Sequence, residues 1–166
     1  MTHLRLARMT VITLLLGGSV TLTGIAQREA RATAAAALPS AAELPWDGLD
    51  PALQAPPANG SPIAILYVQR RCPHCTPTAA ALNALAATSG VHATIIALDP
   101  AAEITQWADS LGLTIPVARD TGRAWMKALG ITGVPTLLTY DRQGRASISV
   151  GALPPAPMRR RLESLK

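Results

Sequence analysis

Phenylalanine is missing from this 166-residue chain, and its other aromatics amount to three Trp and two Tyr. A core must therefore be built mainly from Ile, Leu and Val, since much of the 49% hydrophobic content is Ala. Charge is sparse as well, at 15% of residues. The net charge of +5 falls to +3 once Arg5 and Arg8 are set aside with the first 26 residues, which leaves 13 basic against 10 acidic side chains. No Lys/Arg stripe interleaves with aromatics, so nothing marks a nucleic-acid-binding surface. Cysteine is limited to two residues, where a small secreted scaffold held by disulfides would carry more, spread along the chain. A zinc site wants about four ligands, and outside the 72–75 segment only His3 and His92 could add to it. Covalent haem attachment needs His directly after the second Cys, and residue 76 is Thr.

What remains is a local device, Cys72-Pro73-His74-Cys75. Two thiols separated by two residues at a helix start can close and open a disulfide. The first must be exposed and ionise near working pH, and the second must stand behind it to resolve a mixed disulfide. Cys72 is read as the nucleophile at the helix N-terminus, where unpaired N–H groups favour an anion. Cys75 is read as the resolving thiol. Pro73, His74 and Arg71 are expected to tune the pair, His74 and Arg71 through positive charge. An inert structural disulfide is the bland alternative, but so short a loop would stabilise little.

The N-terminus has the three parts of an export signal: Arg5 and Arg8 without acids, an apolar run from Val11 to Ile25, and small residues at Gly24 and Ala26. Residues 1–26 are therefore expected to be a signal peptide, either cleaved or retained as an anchor. No cysteine near Ala26 allows a lipid anchor. Either way the remainder is expected in the periplasm or another extracytoplasmic space, where disulfides persist. Residues 27–61, rich in Ala and Pro, read as a linker in which Leu44, Trp46 and Leu49 are candidates for docking onto the domain.

Residues 62–166 alternate in type. Apolar runs predict strands over 63–69, 93–98 and 115–118, and helical spacing predicts helices over 73–87, 101–111, 122–129 and 156–165. The Asp141-Arg142-Gln143-Gly144 turn joins 136–140 and 146–150 into a hairpin. The fold class expected is α/β, a central mixed β-sheet flanked by helices. Its first strand delivers the cysteines at its C-terminal end, where open α/β sheets place their working sites. Trp107 and Trp125 read as packing residues, His92 as a solvated strand edge, Asp99 and Asp141 as strand-end turn residues, and Arg159 to Arg161 as a solvated helix face.

A second signal stands about 60 residues after the cysteines, Gly133-Val134-Pro135-Thr136, immediately before a strand. With AILYVQRRCPHC and the long stretch from LGLTIPVARD to SISVGAL, it makes the chain resemble the thioredoxin superfamily, and within it the exported TlpA/ResA-like thiol–disulfide oxidoreductases. The resemblance spans about residues 60–166. It implies a thioredoxin-like fold, a cis proline at Pro135, a substrate-binding edge at Val134 and Pro135, and redox activity at Cys72 and Cys75. The chain departs from relatives in carrying Arg71 where many have Trp, Leu66 where thioredoxins bury an Asp, and Ala80 where a helix proline is usual. The CPHC sequence is like that of DsbA-type oxidases, whose large helical insertion is absent.

The function expected is disulfide exchange with protein thiols, in the direction of reduction or interchange. The alternatives are a disulfide-forming oxidase and a non-enzymatic copper-delivery or assembly factor. No cofactor beyond the Cys72–Cys75 disulfide is expected. The partners expected are protein thiols and disulfides and a membrane or periplasmic redox partner, with no nucleic acid, for a monomeric protein.

Overall fold

Strand β2, Ile63–Val68, is buried at every position because it lies inside the sheet and both faces of the sheet are packed. The computed structural model describes residues 38–51, 53 and 60–166. The segments expected as a signal, 1–26, and as the first part of the linker, 27–37, lie outside the described residues.

Six strands form one sheet in the order β1-β4-β3-β2-β5-β6. They are β1 (Leu49–Asp50), β2, β3 (His92–Ala97), β4 (Val117–Asp120), β5 (Thr136–Tyr140) and β6 (Ala146–Val150). The β2–β3 and β3–β4 pairs are parallel, and the β1–β4, β2–β5 and β5–β6 pairs antiparallel. The helices are α1 (Cys75–Ser89), α2 (Ala101–Ser110), α3 (Ala124–Leu129) and α4 (Pro155–Glu163). Gly90, at φ 66°, ends α1 in the left-handed conformation that glycine adopts without penalty. The mixed sheet with flanking helices agrees with the expected fold class. Element ends move by at most two residues, β4 sitting two residues later than 115–118.

Side chains alternate across the sheet and build two cores. On one face Ala64, Leu66, Val68, Ala93, Ile95 and Ala97 meet α1, α2 and α4 through Ala79, Leu82, Ile104, Met158 and Leu162. On the other, Ile63, Ile65, Tyr67, Ile96 and Leu138 meet Leu44, Trp46, Leu49 and Trp125. Alanine is frequent where α1 lies on the sheet: Ala64, Ala79 and Ala97 are at most 1% exposed.

The expected linker needs correction. Leu38–Lys166 is one compact unit, so the stretch from Leu38 belongs to the fold. Leu44, Trp46 and Leu49 are buried, and β1 pairs Leu49 with Asp120. The physical reason lies in the carbonyls. A Pro-rich chain makes few bonds of its own, but its C=O groups still accept: Tyr140 Oη donates to Pro39 O at 2.8 Å and Trp125 Nε1 to Pro45 O at 3.0 Å. Trp46 thus serves the second core, packing edge-on against Trp125 with ring centroids 4.9 Å apart.

Candidate active site

The chain leaves β2 at Val68 and turns tightly through Gln69 to Cys72. Cys72 N–H donates to Gln69 O, and Cys75 N–H donates to Cys72 O, each at 3.1 Å. The regular helix begins only at Cys75, with His74 as its N-cap residue. This corrects the expected start at 73: Pro73 has no N–H to give, and a single turn carries Cys72 ahead of the helix rather than capping it. Thr78 secures that turn, its hydroxyl donating to His74 O at 2.7 Å.

The two sulfurs have different surroundings. Both are thiols in the structure; Cys72 is half-buried and Cys75 is closed off from solvent. Burial pushes the Cys75 thiol up to about 12 from an ordinary value near 9. Its hydrogen bond with Cys72 and the charges of Cys72 and Asp99 act the same way, against a backbone hydrogen bond involving Gln69. Cys75 therefore keeps its proton at neutral pH.

Cys72 Sγ lies 3.7 Å from Val134 O, to which the thiol can donate. The structure thus brings the two motifs together across the molecule. The Val134–Pro135 peptide bond is cis. Thr136 Oγ1 donates to Gly133 O at 2.6 Å and Gly151 N–H to Pro135 O at 2.8 Å, which fixes the loop at both ends. Pro73, His74 and Arg71 are exposed around the pair.

The loop before Cys72 is held through Arg70 by Asp99 and Glu103, to which the sequence reading gave no part in the site. Arg70 N–H donates to Asp99 Oδ2 at 2.7 Å, and the Arg70 guanidinium donates to Glu103 Oε2 at 2.9 and 2.6 Å. Trp107 Nε1 donates to Thr76 Oγ1 at 3.2 Å. The signal that could have found Asp99 is register: parallel pairing of Val68 with Ala97 places Arg70 and Asp99 side by side, two residues further on.

A family model described as "Thioredoxin-like domain" matches residues 49–166, from the first residue of β1 to the end of the chain. The chain belongs to the thioredoxin-like family. Solved structures of similar fold agree with this thioredoxin-like assignment. DsbF of MTB is 22% identical, with a TM-score of 0.61 over 64% of this chain and 82% of its own. A secreted Mycobacterium tuberculosis disulfide oxidoreductase, described as homologous to E. coli DsbE, is 17% identical, with a TM-score of 0.60 over 64% and 84%. A thiol-disulfide isomerase from Corynebacterium glutamicum is 22% identical, with a TM-score of 0.56 over 65% and 82%. No curated protein sequence matches the chain. Among the described residues of this thioredoxin-like protein, no helix is long and apolar enough to cross a membrane.

Proposed function

We propose that the protein is a thiol–disulfide oxidoreductase that exchanges disulfides with protein thiols through Cys72 and Cys75, outside the cytoplasm. The observation that carries this reading is the pairing of an accessible Cys72 sulfur with a buried Cys75 thiol behind it and the Val134 carbonyl 3.7 Å away. An extended client segment could bond to that backbone edge while its own sulfur meets Cys72. The names of the similar structures support the same chemistry. Arg5, Arg8 and the apolar run to Ile25 support export.

In the reducing direction, the Cys72 thiolate attacks one sulfur of a client disulfide and expels the other as a thiolate. The mixed disulfide is then resolved. Cys75 loses its proton and attacks Cys72 Sγ, the second client thiolate leaves, and two electrons have passed to the client as Cys72 and Cys75 join. A membrane or periplasmic redox partner would reduce the pair again. Pro73, Arg71 and His74, exposed around the pair, are assigned to tuning it. The protein acts as a monomer.

Reduction of a model protein disulfide tests the reading. Cys72→Ser should abolish turnover, and Cys75→Ser should accumulate mixed disulfides that a reductant releases. A Cys72→Ser protein with full activity would end it.

A further inference from the structure

Charge is divided along this chain. Residues 141–166 carry six basic side chains against two acidic, a net +4, whereas residues 38–140 carry five against seven, a net −2. The fold gathers the basic share in one place. The turn between β5 and β6 abuts the chain just after α4, where Arg142 N–H donates to Leu165 O at 3.3 Å. Arg161 fixes α4 to β6, its guanidinium donating to Ser147 Oγ at 2.7 Å and to Ser149 Oγ at 3.1 Å. Arg142, Arg159, Arg160 and Lys166 stay exposed, and among the described residues none of the four is in an ion pair. Strand β5 starts beside the Val134–Pro135 loop and ends at this turn, five residues or about 17 Å on. The basic end and the dithiol thus lie at opposite ends of the sheet.

The surroundings of these cations decide what they suit. A hollow of about 70 Å³ beside Arg159 and Lys166 is also lined by Glu163. It lies at the C-terminal turn of α1, where the helix end is negative, and the Thr88 and Ser89 hydroxyls already donate to Leu85 O and Ala86 O. All of this disfavours a discrete bound anion. A protein partner would be held by apolar or aromatic anchors. Among the described residues the exposed large apolar side chains are Ile148 and Val150, and alternation along β6 turns them away from Ser147, Ser149 and Arg161. Spread cations with neither pocket nor anchor match a diffuse plane of negative charge.

We propose that this basic end is a membrane-surface contact, resting on the headgroups of an anionic phospholipid bilayer with the dithiol facing away from the lipid. Each Lys or Arg within a screening length of such a surface raises partitioning about fivefold. The contact leaves Cys72 open to clients and is independent of the exchange chemistry.

Binding of the full chain to two kinds of vesicle tests it, phosphatidylcholine alone and phosphatidylcholine with phosphatidylglycerol in equal parts. The ratio of the two partition coefficients reads charge, since the apolar run from Val11 to Ile25 meets both vesicles. At about 0.01 M salt, where screening extends about 30 Å, the combined Arg142→Gln, Arg159→Gln and Arg160→Gln variant should lower that ratio about 100-fold. Lys127→Gln, which removes an exposed cation from α3, should change it less than twofold. Should the triple variant fail to fold, Arg160→Gln with Lys166→Gln should lower the ratio about 25-fold. A loss below about threefold in either combination, or an equal loss with Lys127→Gln, would overturn the proposal. Parent protein that bound polyglutamate but showed no preference for the anionic vesicles would assign the face to an acidic protein and overturn it as well. No thiol takes part in these measurements, so their failure leaves the exchange function standing, and the converse holds.

Discussion

The sulfur of Cys72 and the carbonyl oxygen of Val134 are 3.7 Å apart although 62 positions separate the residues in the chain. This proximity puts a backbone acceptor beside the half-buried thiol. It also puts residue 134 next to Cys72, where a charge introduced on its side chain would act on the thiol.

Val134→Asp should therefore slow the reaction of Cys72 with iodoacetamide. A carboxylate several ångström from a forming thiolate, at an effective dielectric of about 20, opposes it by roughly 1–3 kcal/mol. That is a pKa rise of about one unit or more, and alkylation at pH 7 should fall about tenfold. An unchanged rate would show that the two groups do not stay close in solution.

The reduced protein should lose stability as pH climbs from about 9 toward about 12. Cys75 titrates higher when folded than its ordinary value, so in this window the unfolded chain binds fewer protons and deprotonation pulls toward unfolding. Below pH 9 the contribution is fully present. The oxidised protein has no Cys75 thiol and should lack this part of the loss. Urea titrations of both forms at a series of pH values test it.

Trp46→Ala should cost about 3–5 kcal/mol, as expected for a large buried aromatic. The ring is 6% exposed, meets Trp125 edge-on and donates to Ala41 O at 2.8 Å. Because it lies on the face away from α1, the glutathione equilibrium should not change. Denaturation curves and redox equilibration of the same variant would show the separation, and a shifted equilibrium would refute it.

Asp120→Ala should destabilise the fold by about 3 kcal/mol or more. Its carboxylate accepts from Tyr67 Oη at 2.6 Å and from the N–H groups of Trp125 and Met126 at 3.1 Å. Removing it leaves three donors in or near the core without an acceptor, each worth about 1–3 kcal/mol. Asp120→Asn keeps an oxygen there and should lose less than half as much. Tyr67, whose ionisation burial and Asp120 both oppose, should show no phenolate absorbance in the folded protein at pH 11.

The sequence made the alternation of elements legible because β2, β3 and β5 are short apolar runs between clear breaks. The Cys72–Cys75 pair was legible as a motif with few competing explanations. The helix start was misplaced because a proline is compatible with both a first helical turn and the tight turn observed before Cys75. In the stretch from Leu38 to Asp50 the apolar Leu44, Trp46 and Leu49 stood out as docking residues, and all three are buried, but the prolines signal an extended linker and hid the short β1 strand, whose partner Asp120 is far along the chain. Asp99 looked like an ordinary turn residue for the same reason. Its bond to Arg70 crosses 29 positions and exists only once the strands align.

The methyl groups of Ala64, Ala79 and Ala97 act as a gauge between the sheet and the helix that carries Cys75. In a close-packed interior a thin layer cannot absorb an added methylene, so a bulkier side chain would be felt as displacement. Drift toward valine or leucine at these sites would preserve hydrophobicity and leave the CPHC motif intact. At Ala79, one turn after Cys75, it would also press on the helix start and displace the Cys75 sulfur, so the reach of one cysteine to the other is metered by one of the smallest side chains in the core.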